Sequence, residues 1–262
     1  MANDLHFLPA WRLGELLDAK QVSSRELTEL FLARIDALNP QLNAYLTVTA
    51  NLARQQADDA DAAIAKNARR GPLHGVPLSI KDLTITAGIR TTRGSRVFAD
   101  WVPDADDIVA ERVRASGAVF LGKTNTPEFG AGSQTFNEVF GITRNPYAVD
   151  KTCGGSSGGA AAALASGMLP LADGSALGGS LRNPASFCHV VGFRPSPGRV
   201  PSYPNALAWN TLSVTGPMGR NVGDVALLLS VMAGPDARAP ISIEQDPAQF
   251  LAPLQRDFTE TR

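Results

Sequence analysis

Residues 153–193 read CGGSSGGAAAALASGMLPLADGSALGGSLRNPASFCHVVGF and contain two serines, Ser156 and Ser180, that are flanked by glycines. Residues 158–166 between them have the small, apolar composition of a closely packed helix, and residues 168–172 that of a buried strand. Glycine permits backbone angles closed to other residues and lets another molecule approach main-chain N–H groups. A nucleophilic hydroxyl beside such N–H groups is what covalent catalysis at a carbonyl requires.

Helices and short apolar strands alternate on either side of this stretch. A capping-box pattern at Ser23 and Glu26 predicts a helix that ends before Pro40. The remaining predicted elements are a helix over 49–69 stopped by Gly71, an approach loop and a buried strand within 73–80 ending at Lys81-Asp82, a helix over 107–116, a strand over 118–121, a helix from 180 to 187, and a helix over 222–232 capped by Asn221. This alternation predicts an α/β fold with a mixed β-sheet covered by helices on both faces.

The composition is that of an ordinary globular protein. The 262 residues are 44% hydrophobic and 19% charged, with a formal net charge of −1. A chain of this length buries a proper core, and no linker divides it, so we expect one domain over 1–262. The lack of a basic excess argues against nucleic acid or an anionic membrane surface as a partner.

Several features indicate a cytoplasmic protein without a disulfide framework or a structural zinc site. The first residues lack the basic and apolar regions of a signal peptide, and the longest apolar run, 160–172, is too short to span a bilayer. Cys153 and Cys188 are the only cysteines, which makes a disulfide framework improbable. The three histidines have no ligand-like spacing with the cysteines, so a structural zinc site is not expected.

Two short motifs are rejected on their context. Residues 117–124, GAVFLGKT, satisfy the phosphate-loop pattern, but their apolar centre is itself the predicted strand, whereas a phosphate loop follows a strand. Residues 154–158, GGSSG, satisfy the nucleophile-elbow pattern, but the only later histidine, His189, is too near in sequence for that fold.

A lysine is the remaining candidate for the base. Lys81 follows the apolar run 76–80, where burial would disfavour its ammonium form and lower its pKa. Taken alone, Lys81 is typical of a surface residue, Ser156 of a turn, and the Gly178-Gly179-Ser180 segment of a tight loop. Their joint occurrence favours a hydrolase with a lysine base.

Together these segments resemble the amidase signature family. The matching stretches are 75–82 (GVPLSIKD), 122–125 (GKTN), 154–159 (GGSSGG), 178–182 (GGSLR) and 187–195, in family order over most of the chain. The resemblance implies the family's fold, a mixed sheet covered by helices. It also implies an amidohydrolase that cleaves a carboxamide C–N bond, giving a carboxylic acid plus ammonia or an amine, without a cofactor or metal.

The resemblance also assigns roles to residues. Ser180 resembles the nucleophile that forms the acyl-enzyme, Ser156 the bridging serine that follows a cis peptide bond, and Lys81 the base. The backbone N–H groups of Leu177, Gly178 and Gly179 are the expected oxyanion donors. Arg182 is expected either to bind a polar group of the substrate or to form a structural ion pair.

Two departures from the family pattern bear on activity. Ala176 stands where the family usually has an acidic residue, which predicts a looser site and weaker catalysis, and Asp173 is offset from that position. The chain also stops well before family members do, so the fold is expected to lack its usual C-terminal part. Apolar surface exposed there would favour self-association, for example as a homodimer.

Three functions remain open. The first is an amidohydrolase acting on a small-molecule amide. The second is a truncated relative that is catalytically weak or inactive. The third, ranked below the first because residues 195–199 and the segment after them look more like stand-alone amidases, is the glutaminase-like subunit of a tRNA-dependent amidotransferase.

Overall fold

A computed structural model describes residues 5–255 and 257–259 of the chain. Ten strands form one main sheet and two short hairpins. In chain order they are β1 (Tyr45–Val48), β2 (Pro77–Lys81), β3 (Val119–Thr124), β4 (Phe136–Asn137), β5 (Gly141–Ile142), β6 (Arg144–Asn145), β7 (Ala148–Thr152), β8 (Leu171–Ala176), β9 (Val191–Gly192) and β10 (Val214–Gly219).

Helices surround the main sheet. The α-helices are α1 (Ala10–Asp18), α2 (Ser24–Leu42), α3 (Ala50–Ala65), α4 (Ile108–Ala115), α5 (Gly158–Ala165), α6 (Arg182–Phe187) and α7 (Val222–Met232). Short 3₁₀ turns occur at Leu5–Phe7, Arg96–Phe98, Glu128–Gly130 and Pro247–Leu251. Within the described residues, no helix combines the length and the apolar character needed to cross a membrane.

The main sheet is mixed, as the sequence predicted. Its strand order is β1-β3-β2-β8-β10-β9. The three central strands β3, β2 and β8 run parallel, whereas β1, β10 and β9 pair antiparallel with their neighbours. Every residue of β2 and β3 is buried, so both faces of the sheet are covered at its centre, as is usual for parallel strands.

Helix α2 begins as its sequence predicts. The Ser23 side chain accepts a hydrogen bond from the Glu26 backbone N–H, and the Glu26 carboxylate accepts one from the Ser23 N–H at 2.7 Å, which completes the capping box. Leu27, Phe31 and Ile35 form its buried face. These two hydrogen bonds fix the residue at which α2 begins.

The predicted ends of α2 and of the next helix are wrong. Helix α2 continues through Pro40, because Asn43 N–H still donates to Asn39 O at 2.8 Å, and the side chain of Asn39 accepts the N–H of Ala44 beyond the last turn at 2.8 Å. Helix α3 ends at Ala65, before Gly71, because Asn67 takes a left-handed conformation with φ of 54° and reverses the chain.

Helix α5 lies unusually close to the sheet and its loops. Its buried face consists of glycine and alanine except for Leu164. A Cβ at Gly159 would lie 2.2 Å from the backbone N of Asn125 and 2.6 Å from the Ala44 carbonyl oxygen. The small-residue composition therefore brings the N-terminus of α5 against the carboxyl ends of the parallel strands.

The strand expected over 168–172 lies further along the chain. Strand β8 spans Leu171–Ala176 and pairs with β10 over its whole length, from Leu171 opposite Gly219 to Ala176 opposite Val214. Gly167, with φ of 70°, turns the chain after α5 and delays the strand. The shift places the polar Asp173 and Ser175 inside the sheet, next to β2.

Candidate active site

Three neighbouring elements bring Lys81 and three serines together. Lys81 is the last residue of β2, and Ser175 belongs to β8, which lies parallel to β2. Ser156 and Ser157 immediately precede α5, which packs against both strands. The carboxyl ends of adjacent parallel strands and the N-terminus of a helix therefore meet at one point, where α/β proteins commonly bind ligands.

The amine of Lys81 contacts three serine hydroxyls. Its Nζ lies 2.8 Å from Ser156 Oγ, 2.9 Å from Ser157 Oγ and 3.0 Å from Ser175 Oγ. An ammonium group has three N–H donors, so these contacts saturate its charged form. The neutral amine has one lone pair and accepts a proton from one of the same hydroxyls. Ser157 already directs its hydroxyl to the Ser175 carbonyl at 3.3 Å, so Ser156 and Ser175 are the two hydroxyls that can donate to the neutral amine.

Burial brings the pKa of Lys81 close to neutral pH. The side chain is fully buried, and the loss of hydration lowers its pKa to about 7. The carboxylate of Asp173 opposes this effect by favouring the ammonium form. At neutral pH both protonation states of Lys81 are therefore populated, which suits a group that accepts and returns a proton.

Asp173 holds the backbone beneath Lys81. Its Oδ1 accepts the Lys81 N–H at 2.5 Å and its Oδ2 accepts the Thr84 hydroxyl at 2.6 Å. Burial raises the pKa of this carboxyl group, while the hydrogen bonds and two buried lysines, Lys123 and Lys81, lower it. Asp173 thus ties β8 to the end of β2.

A second buried lysine, Lys123, has a different environment. Its Nζ donates to the Thr84 carbonyl at 2.5 Å and to the Thr86 hydroxyl at 2.8 Å. Burial lowers its pKa to about 8. Because no serine hydroxyl of the described chain contacts Lys123, its contacts stabilise the loop that follows β2.

The backbone that precedes Ser156 is closely packed against other segments. The Gly155–Ser156 peptide bond is cis, as the resemblance predicted. A Cβ on Gly155 would lie 2.8 Å from the Gln134 backbone, and Gly154 has a φ of 74°. Only glycine fits at both positions without displacing the backbone. Ser156 itself is 3% exposed, so its hydroxyl is shielded from bulk water.

Ser180 lies beside this cluster and is half-buried. Its carbonyl oxygen accepts the Ser157 N–H at 3.3 Å, and the preceding Gly179 has a φ of 131°. The hydroxyl of Ser180 forms no hydrogen bond with Ser156 or with the rest of the described chain. The structure thus joins Lys81 and Ser156 directly and brings Ser180 next to them through its backbone.

The remaining predicted site residues surround Ser180. Among the described residues, none accepts a hydrogen bond from the N–H groups of Leu177, Gly178 or Gly179, so these donors are available to a ligand. Arg182 is exposed at the start of α6 and forms no ion pair within the described chain. Ala176 is buried and places a methyl group where the family pattern has an acid.

Sequence reasoning missed Ser175 and the direct contact of Ser157 with Lys81. Ser175 could have been found from its position in a Gly-Ser pair just before the Gly-Gly-Ser segment. The strand was predicted over 168–172, however, and so ended before Ser175. Once β8 is placed over Leu171–Ala176, Ser175 falls beside β2.

A cavity of about 620 Å³ opens next to these residues. Ser175 and Leu177 form its wall on the side of the hydroxyl cluster, which is the group of three serine hydroxyls around Lys81. Residues from the segment 197–215 form much of the rest. This volume is within the range of small-molecule sites. No three His, Cys, Asp or Glu side chains of the described chain are grouped so as to hold a metal ion.

Comparison with known proteins places this chain in one class. The family model described as Amidase matches residues 26–258. A bacterial aryl acylamidase belonging to the amidase signature enzymes superposes with a TM-score of 0.86 at 36% identity, over 92% of this chain and 51% of that one. The chain belongs to the amidase signature family.

Individual relatives are named either as amidotransferase subunits or as amidases. One glutamyl-tRNA(Gln) amidotransferase subunit, from Moorella thermoacetica, is 47% identical over 89% of this chain and 48% of its own length. The peptide amidase from Stenotrophomonas maltophilia superposes with a TM-score of 0.83 at 33% identity, over 92% of this chain and 50% of that one. The chain thus spans about half the length of the relatives it matches.

Proposed function

We propose that this protein is an amidohydrolase that cleaves a carboxamide through a Ser180 acyl-enzyme. The observation that carries the proposal is the contact between Lys81 and Ser156. A fully buried amine with a pKa of about 7 lies 2.8 Å from a serine hydroxyl, beside a glycine-flanked serine and unoccupied backbone donors. The other buried lysine, Lys123, donates to a backbone carbonyl and to one threonine hydroxyl and contacts no serine.

The proposed proton path runs through both serines. Neutral Lys81 takes the Ser156 proton while Ser156 takes the Ser180 proton, so Ser180 Oγ forms a bond to the amide carbon. The path then runs backward, and the leaving nitrogen receives the proton as the C–N bond breaks. Water next attacks the ester, yielding the carboxylic acid and free Ser180. The missing Ser156–Ser180 hydrogen bond is expected to form with bound substrate, since such bonds often tighten only then.

The donors around Ser180 have roles in this reaction. The N–H groups of Leu177, Gly178 and Gly179 stabilise the negative oxygen of the tetrahedral intermediate, and one such donor is worth about 3 kcal/mol. Arg182, exposed and without an ion-pair partner in the described chain, binds a polar group of the substrate. Because Ala176 stands where the resemblance predicts an acidic residue, this loop lacks that carboxylate, and we expect weaker catalysis.

Covalent labelling tests the proposal. The 262-residue chain is treated with a fluorophosphonate and its intact mass is measured, beside Ser180→Ala, Lys81→Ala and Ser213→Ala variants. Ser213 lines the cavity but contacts none of the three hydroxyls, so it controls for general effects of serine loss. We expect one adduct that disappears in Ser180→Ala, forms slowly in Lys81→Ala and persists in Ser213→Ala.

Two results would contradict the proposal. Labelling that persists in Ser180→Ala would place the nucleophile elsewhere. No adduct from a chain that unfolds cooperatively on heating would identify a folded, inactive relative, which is the second function left open by the sequence.

The identity of the relatives supports a second candidate, the glutaminase-like subunit of a tRNA-dependent amidotransferase. The 47% identical protein from Moorella thermoacetica is named as a component of such an enzyme. The chemistry at Ser180 would be the same, with glutamine as the amide and ammonia as the product. Ammonia release from glutamine, measured with and without partner proteins, separates the two. Release that requires the partners supports the amidotransferase component, and release from simple amides without them supports the amidase.

A further inference from the structure

The cavity next to the hydroxyl cluster carries little charge. Among the described residues that line it, Arg93 and Asp107 are the only charged ones. Apolar and uncharged polar groups form the rest of the wall, including Phe129, Val200 and Leu207. The chemistry of these two charged side chains therefore decides which ionic groups the cavity accepts.

Asp107 is already used by the fold. Its Oδ1 accepts the Ala110 N–H at 3.0 Å and caps α4. Burial raises the pKa of this carboxyl group to about 7, so it carries only part of a negative charge at neutral pH. Asp107 therefore adds little negative charge that would repel an anion in the cavity.

Arg93 is held in place by its backbone and by aromatic rings. Its N–H donates to the Asp82 carbonyl at 3.1 Å, and its own carbonyl accepts the Phe129 N–H at 2.8 Å. The guanidinium carbon lies 5.3 Å from the ring centroid of Phe98 and 5.2 Å from that of Trp101. Such cation–π packing fixes the side chain without neutralising it.

The charge of Arg93 is left without a partner. Its guanidinium forms no ion pair within residues 5–255 and 257–259, and its Nε is buried without a hydrogen-bond acceptor. That nitrogen is closed to solvent, but the terminal nitrogens of the guanidinium also have no hydrogen-bond partner in the described chain, so a ligand in the cavity can supply their acceptor. A planar guanidinium fork matches the two oxygens of a carboxylate.

We propose that Arg93 is a specificity-determining residue that binds a carboxylate on the substrate, so that the preferred amides are monoamides of dicarboxylic acids or similar anionic amides. The inference rests on the proposed amidohydrolase function, because it assumes that the cavity holds the substrate of Ser180. The carboxylate would lie at the Arg93 wall of the cavity while the amide carbon lies at Ser180.

Arg90 offers a matched control. It lies in the same loop and also stacks on an aromatic ring, Phe140, at 5.1 Å. Unlike Arg93, it donates to the Ala99 carbonyl, lies 4.0 Å from the carboxylate of Asp100, and does not line the cavity. Replacing Arg90 removes a cation and a stacking contact without changing the cavity wall.

The test compares charged and neutral amides of equal length. Ammonia release is measured from succinamic, glutaramic and adipamic acids and from butanamide, pentanamide and hexanamide, with the wild-type chain, Arg93→Gln and Arg90→Gln. We expect wild type to prefer at least one acid over its neutral partner. In Arg93→Gln, kcat/KM for that acid should fall roughly 10- to 100-fold, the range for a charge-assisted pair. The neutral amide should change little, and Arg90→Gln should keep the preference.

Other outcomes overturn the proposal. No preference for an acid in wild type, an equal loss for acid and neutral amide in Arg93→Gln, or the same loss of preference in Arg90→Gln would each exclude Arg93 as the carboxylate-binding residue. If Arg93→Gln fails to fold, Arg93→Lys keeps the charge and should retain part of the preference, and its complete loss of preference without a change in neutral-amide turnover would contradict a charge-based role.

A binding measurement separates failure of this inference from failure of the proposed function. If none of these amides is hydrolysed and no adduct forms at Ser180, the amidohydrolase proposal fails, and titration calorimetry with glutarate and adipate still tests Arg93. Binding to wild type and Arg90→Gln but not to Arg93→Gln supports the anion site. Equal binding to all three, or none to wild type, overturns it.

Discussion

The protonation of Lys81 links the structure to a pH dependence. Three hydroxyls accept its protons, and burial lowers its pKa to about 7. Only the neutral amine accepts the Ser156 proton, so the rate of labelling at Ser180 should fall about tenfold per pH unit below that value. The carboxylate of Asp173 raises the pKa of Lys81 and therefore sets where the fall begins.

Asp173→Asn is expected to shift this pH dependence. Removal of the carboxylate leaves burial unopposed, so the pKa of Lys81 drops further and the acid limb of the labelling rate moves to lower pH. The plateau rate should also decrease, since the Lys81 N–H and the Thr84 hydroxyl lose a charged acceptor. The rate constant for fluorophosphonate labelling is measured across the pH range in which the protein stays folded.

Asp82→Asn is the control for that variant. Asp82 is also a buried carboxylate, but it accepts hydrogen bonds from Thr92 and its main lysine neighbour is Lys123. We expect Asp82→Asn to leave the acid limb in place. If the pH below which the labelling rate falls shifts equally in both variants, or in neither, Asp173 has only a structural role.

At the scale of elements, the close packing of α5 depends on a missing side chain. Gly159→Ala would place a Cβ 2.2 Å from a backbone nitrogen and 2.6 Å from a backbone oxygen, so the helix must move. We expect a loss of about 1–3 kcal/mol or more in the free energy of unfolding. Because Ser156 and Ser157 precede this helix, labelling at Ser180 should slow as well.

A second helical glycine provides the comparison. Gly14 lies inside α1, and a Cβ there would meet nothing within 4 Å. Gly14→Ala should therefore stabilise the protein by about 0.5–1 kcal/mol through helix propensity. Chemical denaturation of both variants gives the comparison. Equal and small effects would show that α5 can move away from Asn125 at little cost.

The elements differ in how far the sequence determines them. The caps at Ser23 and Asn221 and the apolar run before Lys81 are local signals, and the structure confirms the helix starts and the buried strand that they predict. The end of α2 depends on how the Asn39 side chain binds the backbone just beyond the last turn, and the position of β8 depends on its pairing with the distant β10. Neither was predicted correctly.

The candidate site shows the same limit. Nothing in the local sequence around Lys81 indicates that β2 lies beside β8, so the contact with Ser175 could not be predicted. The meeting of Lys81 with Ser156 was expected only through the family resemblance. The partnerless charge of Arg93 depends on which side chains surround the cavity, and no local pattern encodes that.

At the scale of the whole molecule, exposed apolar residues predict self-association. Leu207, Trp209 and Leu212 are 65%, 75% and 59% exposed within one short segment, and apolar surface of this kind marks interaction sites. We expect a concentration-dependent sedimentation coefficient for the wild-type chain and a smaller dependence for Trp209→Ser.

A solitary exposed residue serves as the control. Val97 is 80% exposed in a different region, so Val97→Ser should sediment like wild type. A wild-type chain that remains monomeric at all concentrations would contradict the prediction.

The buried lysine also makes folding an acid–base reaction. In the unfolded chain Lys81 has its ordinary pKa of 10.5, and in the folded protein about 7. Between these values the unfolded chain holds the proton and the native protein does not, so the chain releases a proton as it folds, and the contribution of Lys81 to stability increases with pH across this window. Below it the folded protein must either accept a buried charge or unfold. The same lost proton that costs stability is what leaves Lys81 able to act as a base.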